Sequence, residues 1–231
     1  MSASAGADER RPAFYSGLMD AALRQLNDQL DLATQRLLDA ARVLPEPDLR
    51  APSLLPGWAR ADVLAHLARG ADAMRSLLAG ARAGQQRPVG TGAGEREAAA
   101  AQAPKELMAD LAASAMALRT VIRQLPDQAW SFRLKIADAE PFPAAGLVTR
   151  RLVEVELHHC DLGIGYDAAR WPAGFAGMAL PEPMHSQRQE RLGYQPQFYQ
   201  PTPARPAAAP ATAQQRAMIL RSLSGGPGMA R

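Results

Sequence analysis

The segment LPGWARADVLAHLARGADAMRSLLAGARAG (Leu55–Gly84) begins with turn residues and continues with a regular apolar pattern. After its turn residues, apolar side chains recur every three or four positions over about 60–82, which predicts an amphipathic helix. Asp62 in the first turn complements the helix dipole, although Ala59 lacks the hydroxyl that usually caps a helix start. His66 lies within the apolar stripe, where a histidine must be hydrogen-bonded in the core or bind a ligand.

Three more helices are predicted around this one. Residues 13–43 carry leucines and alanines at helical spacing, and the prolines after them end that helix. A third helix is expected over 95–125, where Pro104 predicts a kink or a fresh start. After a short extended stretch over 131–141, a fourth helix covers 143–161. The predicted fold is therefore all-α, an up-and-down four-helix bundle.

The bundle is expected to occupy residues 13–171, after a disordered N-terminus over 1–12. Residues 84–94 are glycine-rich and are expected to form a loop. Residues 172–231 hold nine of the chain's 19 prolines and contain no aspartate, lysine or valine. Helical spacing persists there only around 212–223, so this segment is expected to be an irregular or disordered tail.

Composition excludes several classes of protein. The single cysteine, Cys160, allows no internal disulfide and fits a reducing compartment. No apolar run reaches the roughly 18–20 residues that cross a bilayer, and no hydrophobic signal segment is visible, so the expected location is cytoplasmic. Six arginines and two glutamates follow Trp171, which leaves 20 basic and 21 acidic residues in residues 1–171. This balance disfavours nucleic-acid binding.

The fourth predicted helix carries a candidate metal site in VEVELHHCDLG. Glu154 and His158 are four residues apart and project from one helical face, a spacing that suits two ligands of one divalent ion. His66 would supply the third ligand if the second and fourth helices pack together. Two histidines and a carboxylate leave a position open on the metal for catalysis. The alternative is a surface hydrogen bond between Glu154 and His158, with His66 satisfied in the core.

Two stretches together resemble a known family. Leu55–Gly84, with RRLVEVELHHCDLGIGY (Arg150–Tyr166) and the WPAGF sequence after it, is similar to the mycothiol-dependent maleylpyruvate isomerase family over about residues 15–176. The resemblance implies a DinB/YfiT-like bundle in which these motifs bind a divalent metal, usually zinc. By position the implied ligands are His66, Glu154 and His158, the same residues that the spacing indicates.

Other residues near these motifs have two interpretations each. Arg82 matches an arginine that recurs in the family, which implies a clamp for a substrate or cofactor carboxylate; the alternative is a solvated arginine at the helix end. Asp161 either orients a metal ligand or caps the helix end, and the second role is expected. Cys160 shares the helical face of neither ligand and is not expected to be a catalytic thiol.

The chain departs from the family after about Ala179. Family members continue into a small α/β domain that forms a wall of the active-site cleft and contributes an arginine used in catalysis. Nothing in the Pro-, Ala- and Arg-rich tail resembles that domain. The tail is therefore interpreted either as frameshifted or degenerate, or as divergent sequence.

The resemblance implies a metal-dependent, mycothiol-dependent isomerase. The thiol would add to the double bond of maleylpyruvate, the resulting single bond would rotate, and elimination would give fumarylpyruvate. Alternatives are a mycothiol-dependent thiol transferase, a catalytically impaired metal-binding bundle that lacks the second domain, and an interaction module with structural histidines. The expected partners are a small-molecule substrate and a low-molecular-weight thiol, with no nucleic acid and no membrane, and the protein is expected to be a monomer or homodimer.

Overall fold

Four long helices dominate the computed structural model, which describes residues 13–88, 102–136 and 140–193, with side chains from residue 21 onward. They are α1 (Ala13–Arg42), α3 (Arg60–Arg82), α4 (Pro104–Gln124) and α5 (Gly146–Asp161). Shorter helices are α2 (Glu46–Arg50), α6 (Ala173–Ala176) and α7 (Met184–Leu192). Two short strands, β1 (Arg133–Leu134) and β2 (Phe142–Pro143), form an antiparallel pair.

The four long helices close a ring around one core. Helix α3 packs against α4 and α5, and α1 packs against α5 and α4. Their inward faces carry the leucines, valines and alanines of the periodic pattern, including Leu37, Leu64, Leu67, Leu107, Leu111, Leu147 and Leu152. The predicted all-α bundle is confirmed, because burying one apolar stripe from each helix leaves no need for a larger sheet.

The start of each helix has a local cause in the sequence. Helix α3 begins at residue 60, as predicted, and the Asp62 carboxylate accepts a hydrogen bond from the Ala59 backbone N–H at 2.9 Å. Helix α4 begins at Pro104, so the fresh start expected there is confirmed; proline suits the first turn because its missing N–H would be unpaired anyway. Residues 95–101 of the predicted third helix lie outside the described residues.

The strand pair sets the beginning of α5. Backbone N–H groups of Ala144 and Ala145 donate to the carbonyls of Phe132 and Trp130 at 2.9 and 3.1 Å. These bonds hold the chain against β1, so α5 starts at Gly146 rather than at residue 143. Of the stretch predicted to be extended over 131–141, Arg133–Leu134 forms β1, Ser131 ends a 3-10 turn, and β2 lies just past residue 141. Residues 137–139 lie outside the described residues.

The chain continues past α5 along the bundle. Helix α7 packs against α5, and its Met184 is buried. Arg188 Nη1 donates to the carbonyls of Phe175 and Met178, each at 2.8 Å, which fastens α7 to the segment around α6. Residues 172–231 were expected to form an irregular or disordered tail, but the structure has α6 and α7 within this segment. The expected disordered N-terminus over 1–12, most of the expected 84–94 loop and the possible helix around 212–223 lie outside the described residues.

No helix in the described ranges is both long enough and apolar enough to cross a membrane.

Candidate functional site

Polar contacts fix the start of α3 against the end of α5. Arg60 Nε donates to the Leu162 carbonyl at 2.7 Å, and Arg60 Nη1 donates to the Asp48 carbonyl at 3.0 Å. From the turn before α3, the Leu54 N–H donates to the Asp161 carbonyl at 2.7 Å. These bonds hold the N-terminal turns of α3 beside the C-terminal turns of α5.

His66, Glu154 and His158 converge at this junction. The ring centroids of His66 and His158 are 5.0 Å apart with nearly perpendicular planes, and Trp58 packs edge-on against His66 at 5.7 Å. The side chains of His66 and Glu154 are only 16% and 4% exposed. The structure therefore brings together the three residues that the sequence selected, in a mostly buried position.

Two atoms of this group lack a hydrogen-bond partner. His66 Nε2 and Glu154 Oε1 are buried and unpaired, and they lie 3.4 Å apart. That distance is longer than the usual N–H···O separation of about 2.9–3.0 Å. Buried polar atoms are nearly always paired, so two unpaired buried atoms that face each other call for an explanation.

Arg151 holds the other oxygen of Glu154. Its Nη1 donates to Glu154 Oε2 at 2.9 Å, and its Nη2 donates to the Leu67 carbonyl on α3 at 2.9 Å. Burial alone would raise the pKa of Glu154, but the Arg151 charge and the contact with His66 outweigh it and lower this pKa to about 2. Burial also lowers the pKa of His66. Glu154 is thus an anion beside a neutral imidazole, which are the protonation states that metal ligation requires.

Gly70 provides the space for Glu154. It lies one turn after His66 on α3, and a Cβ at this position would be 2.5 Å from Glu154 Oε1 and 3.0 Å from Arg151 Nη1. Glycine inside a helix costs about 1 kcal/mol relative to alanine, so a close approach is the reason for it here. The carboxylate occupies the place that a side chain would take.

Asp161 orients His158. Its Oδ2 lies 2.9 Å from His158 Nδ1, and the Asp161 side chain is fully buried. Burial would raise the pKa of Asp161, but the bond with His158 and the charge of Arg191 lower it overall, so the carboxylate is ionised and can only accept. His158 Nδ1 is therefore the donor, and a neutral His158 carries its lone pair on Nε2. The expected capping role of Asp161 is replaced by this contact.

A second polar cluster occupies another face of α5. Glu156 accepts from Arg36 Nη2 and from the Tyr166 hydroxyl, both at 2.5 Å, and the His159 ring stacks on Tyr166 at 3.8 Å. Burial raises the pKa of Glu156, and burial with the Arg36 charge lowers the pKa of His159 to about 3. These groups fasten α5 to α1, and they share none of these contacts with His66, Glu154 or His158.

The structure separates Arg82 from the other predicted site residues. It is exposed in the last turn of α3, 16 residues after His66, and at 1.5 Å per residue that is about 24 Å along the helix. Cys160 is buried, and burial raises the pKa of its thiol to about 12, so it is protonated at neutral pH. Within the described residues, neither group contacts the three convergent side chains.

One pair of candidate donor atoms has a spacing that can be compared with that of metal ligands. Within residues 13–88, 102–136 and 140–193, no group of three or more His, Cys, Asp or Glu side chains is already arranged to hold a metal. The 3.4 Å between His66 Nε2 and Glu154 Oε1 nevertheless equals the separation of two ligands on tetrahedral zinc, about 3.3–3.4 Å for bonds of about 2.0–2.1 Å. Arg151 and Arg191 were not predicted from the sequence. Gly70 was not predicted either, although a glycine inside an alanine-rich helix indicates a close approach by another group.

The sequence of the chain matches the model of one protein family. Residues 30–163, over half of the chain, match the family model described as the mycothiol maleylpyruvate isomerase N-terminal domain. No curated protein matches the chain.

Two solved structures share the fold. One is the crystal structure of the mycothiol-dependent maleylpyruvate isomerase, with a TM-score of 0.63 and 24% sequence identity, covering 66% of this chain and 65% of that chain. The other is that of a mutant of such an isomerase with one histidine changed to alanine, with a TM-score of 0.62, the same 24% identity and the same coverage of 66% and 65%. The chain thus spans just under two-thirds of the solved structures that it matches.

Proposed function

Because the chain belongs to the family of the mycothiol maleylpyruvate isomerase N-terminal domain, we propose that it is a metal-dependent, mycothiol-dependent isomerase of the maleylpyruvate isomerase type. The observation that supports this most is the pair of buried atoms His66 Nε2 and Glu154 Oε1, unpaired and 3.4 Å apart. Unpaired buried polar atoms are costly, and a cation between them would satisfy both.

In this proposal His66, Glu154 and His158 hold a divalent metal, and zinc fits the mixed nitrogen and oxygen donor set. The metal, when bound, supplies a Lewis acid that can stabilise a thiolate or polarise a substrate oxygen. The protein's own residues prepare the ligands. Arg151 keeps the Glu154 carboxylate ionised, and Asp161 fixes the ring of His158 through Nδ1.

The reactive thiol has to come from outside the chain. Cys160 is the only cysteine, it is buried, and its pKa is raised to about 12, so it offers no thiolate at neutral pH. Mycothiol is the thiol that the family uses, and it would add to and then leave the double bond of maleylpyruvate, allowing rotation between the two events. A reducing cytoplasm is the compartment that keeps such a thiol available.

A mycothiol-dependent thiol transferase is the second candidate. The observation that favours it is the extent of the match, which covers residues 30–163 here and 65% of the solved isomerase chain. All three candidate metal ligands lie within the matched residues 30–163, whereas the match leaves out about a third of the solved isomerase chain. Transfer of the thiol to an electrophile would need the metal and the thiol, but not the rest of the isomerase chain.

The first test measures the metal content of the purified protein by elemental mass spectrometry. We expect about one divalent ion per chain in the wild type and none in the double variant Glu154→Ala with His158→Ala. The matched control is Glu156→Ala with His159→Ala, which removes the same residue types from another face of the same helix. This control is expected to keep the metal, although it loses stability.

The second test measures turnover of maleylpyruvate with and without mycothiol. Isomerisation that requires both the thiol and the metal would support the isomerase. Metal binding with thiol transfer but no isomerisation would favour the second candidate. A wild-type protein that binds no metal even when zinc is supplied would overturn both proposals and leave the histidines as structural residues.

A further inference from the structure

Helix α7 brings an arginine to the end of α5. Arg191 Nε lies 3.2 Å from Asp161 Oδ1, and Arg191 Nη2 lies 3.0 Å from Asp161 Oδ2. The guanidinium thus forms a two-point contact with a carboxylate whose side chain is 0% exposed, and the Arg191 side chain itself is only 10% exposed. Paired contacts of this kind fix the plane of the carboxylate as well as its position.

The same carboxylate continues the contact to His158. Asp161 Oδ2 accepts from His158 Nδ1 at 2.9 Å while it also accepts from Arg191. A guanidinium only donates, so both Asp161 oxygens accept from it and the carboxylate is held in one orientation. The orientation of the His158 ring, and the placement of its proton on Nδ1, therefore depend on a residue 33 positions further along the chain.

Helix α7 has attachments that do not involve Asp161. Arg188 donates to the carbonyls of Phe175 and Met178, and Met184 is buried in the core. Arg191 is further held within its own helix, through Nη1 to the Gln187 carbonyl at 3.3 Å and to Glu190 Oε2 at 3.0 Å. Arg188 thus attaches α7 to the segment around α6, and Arg191 contacts Asp161.

We propose that Arg191 is a positioning residue of the candidate metal centre, acting through Asp161 to hold His158 with its proton on Nδ1 and its lone pair on Nε2. The inference rests on the proposed function in that His158 is taken as a metal ligand. Arg191 lies beyond residues 30–163, the part that matches the family model. A segment outside the matched domain therefore completes the site.

The first test needs no metal. Long-range nitrogen–proton NMR of the metal-free protein, in mildly alkaline buffer, distinguishes a protonated ring nitrogen from a bare one, and a His158→Gln variant assigns the signals. We expect the wild type to carry the His158 proton on Nδ1 and the Arg191→Gln variant to show a mixture of both forms. Arg188→Gln is the matched control, because it loosens the same helix and leaves the Asp161 contact in place.

The second test measures zinc affinity by competition with a chelator. Loss of a group that orients a metal ligand typically weakens metal binding about 10–100-fold, which is the effect expected for Arg191→Gln. Arg188→Gln is expected to lower the melting temperature with little change in affinity. Arg191→Lys keeps the charge but not the two-point contact. It is the variant to measure if Arg191→Gln does not fold, and it should recover part of the zinc affinity.

The inference is overturned if Arg191→Gln and Arg191→Lys leave both the His158 proton and the zinc affinity as in the wild type. It is also overturned if Arg188→Gln weakens zinc binding as much as Arg191→Gln does, because the role of Arg191 would then be only to fasten the helix. A wild type that binds no zinc would contradict the proposed function instead, and the NMR comparison would still decide whether Arg191 governs His158.

Discussion

Single atoms decide how the candidate site is arranged. Glu154 Oε1 lies where a Cβ on Gly70 would be, and its other oxygen is held by Arg151. The carboxylate cannot turn away without giving up a buried charged hydrogen bond, which is among the stronger interactions in a protein. The absence of one methyl group on α3 is therefore a condition for the position of the candidate ligand Glu154 on α5.

Gly70→Ala tests this condition. Alanine gains about 1 kcal/mol in helix propensity, while the new Cβ, placed 2.5 Å from Glu154 Oε1, forces the carboxylate to move. We expect the free energy of unfolding to fall by about 1–2 kcal/mol, because the gain in helix propensity offsets only part of the disturbed Arg151–Glu154 bond, and the zinc affinity to fall about tenfold or more. Urea unfolding and chelator competition measure the two quantities on the same sample.

Gly177→Ala is the control for this prediction, because the Cβ that it adds meets only the Ala173 carbonyl, at 3.4 Å. It should leave zinc binding unchanged. An unchanged affinity in Gly70→Ala as well would mean that the carboxylate adapts freely, contrary to the expectation.

Spacing alone predicts part of the site at this scale. Residues four apart on a helix share a face, so Glu154 and His158 could be paired from the sequence, and the apolar surroundings of His66 marked it as a third candidate. The contact of Asp161 with His158 was also visible in the spacing. Its meaning was not, since that depends on Arg191, which reaches Asp161 only through tertiary packing.

Three of the long helices, α3, α4 and α5, begin after an alanine that makes no side-chain capping hydrogen bond. At the start of α3, Ala59 has the extended conformation of a capping residue, with φ −75° and ψ 162°, but no side-chain acceptor. Asp62 satisfies the Ala59 N–H, which is one half of a capping box. The other half, a hydroxyl that accepts from the first turn, is missing.

Ala59→Ser is expected to stabilise the protein. Serine at this position can accept a hydrogen bond from the first turn of α3, and such caps contribute about 1 kcal/mol. Thermal and urea unfolding should both show the increase. Ala59→Val adds a side chain without an acceptor and is expected to give no gain, so an equal increase in both variants would contradict the capping explanation.

The long helices could be predicted from the sequence and α7 could not. Periodic leucines with alanines define α1 and α3, and leucines with valines define α5; the ends of these helices follow from prolines, Asp62 and the strand pair. Helix α7 reads MHSQRQERL, in which only the first and last residues are apolar. Hydrogen bonds from its arginines to backbone carbonyls and to Asp161 hold α7 in place, and such bonds cannot be predicted from a hydrophobic pattern.

The whole molecule is expected to lose stability in alkali. Burial raises the pKa of Cys160 from 9.0 to about 12, and burial with the Glu156 bond raises the pKa of Tyr166 above its usual 10.0. Below about pH 9 both groups are protonated in the folded and the unfolded chain, so their contribution is fully present. Above that pH the unfolded chain loses these protons first, and the free energy of unfolding falls.

Urea unfolding between about pH 8 and 10.5 measures this loss. The double variant Cys160→Ala with Tyr166→Phe should be less stable at pH 8, because Glu156 loses a hydrogen bond, yet its stability should decline less steeply with pH. Parallel curves for the variant and the wild type would show that the loss in alkali arises from other groups.

The family and the bundle could be read from two motifs, whereas the completion of the site could not. The motifs in Leu55–Gly84 and Arg150–Tyr166 indicate which side chains face inward where α3 meets α5. Arg60, Arg151 and Arg191 join elements that are distant in sequence, and arginine has no periodicity that reveals its partner. The separation of Arg82 from His66, by contrast, follows from the helix that was predicted over 60–82.

The bond from Arg191 to Asp161 also sets an order of events during synthesis. All three candidate ligands precede residue 159, and the contacts of Arg60 with Leu162 and Asp48 can form as soon as α5 has emerged from the ribosome. The carboxylate that orients His158 receives its guanidinium only when a further 30 residues have followed. Under the proposed function, a nascent chain would thus contain its three candidate ligands before Arg191 could orient His158, and a chain truncated before residue 191 would never gain that contact.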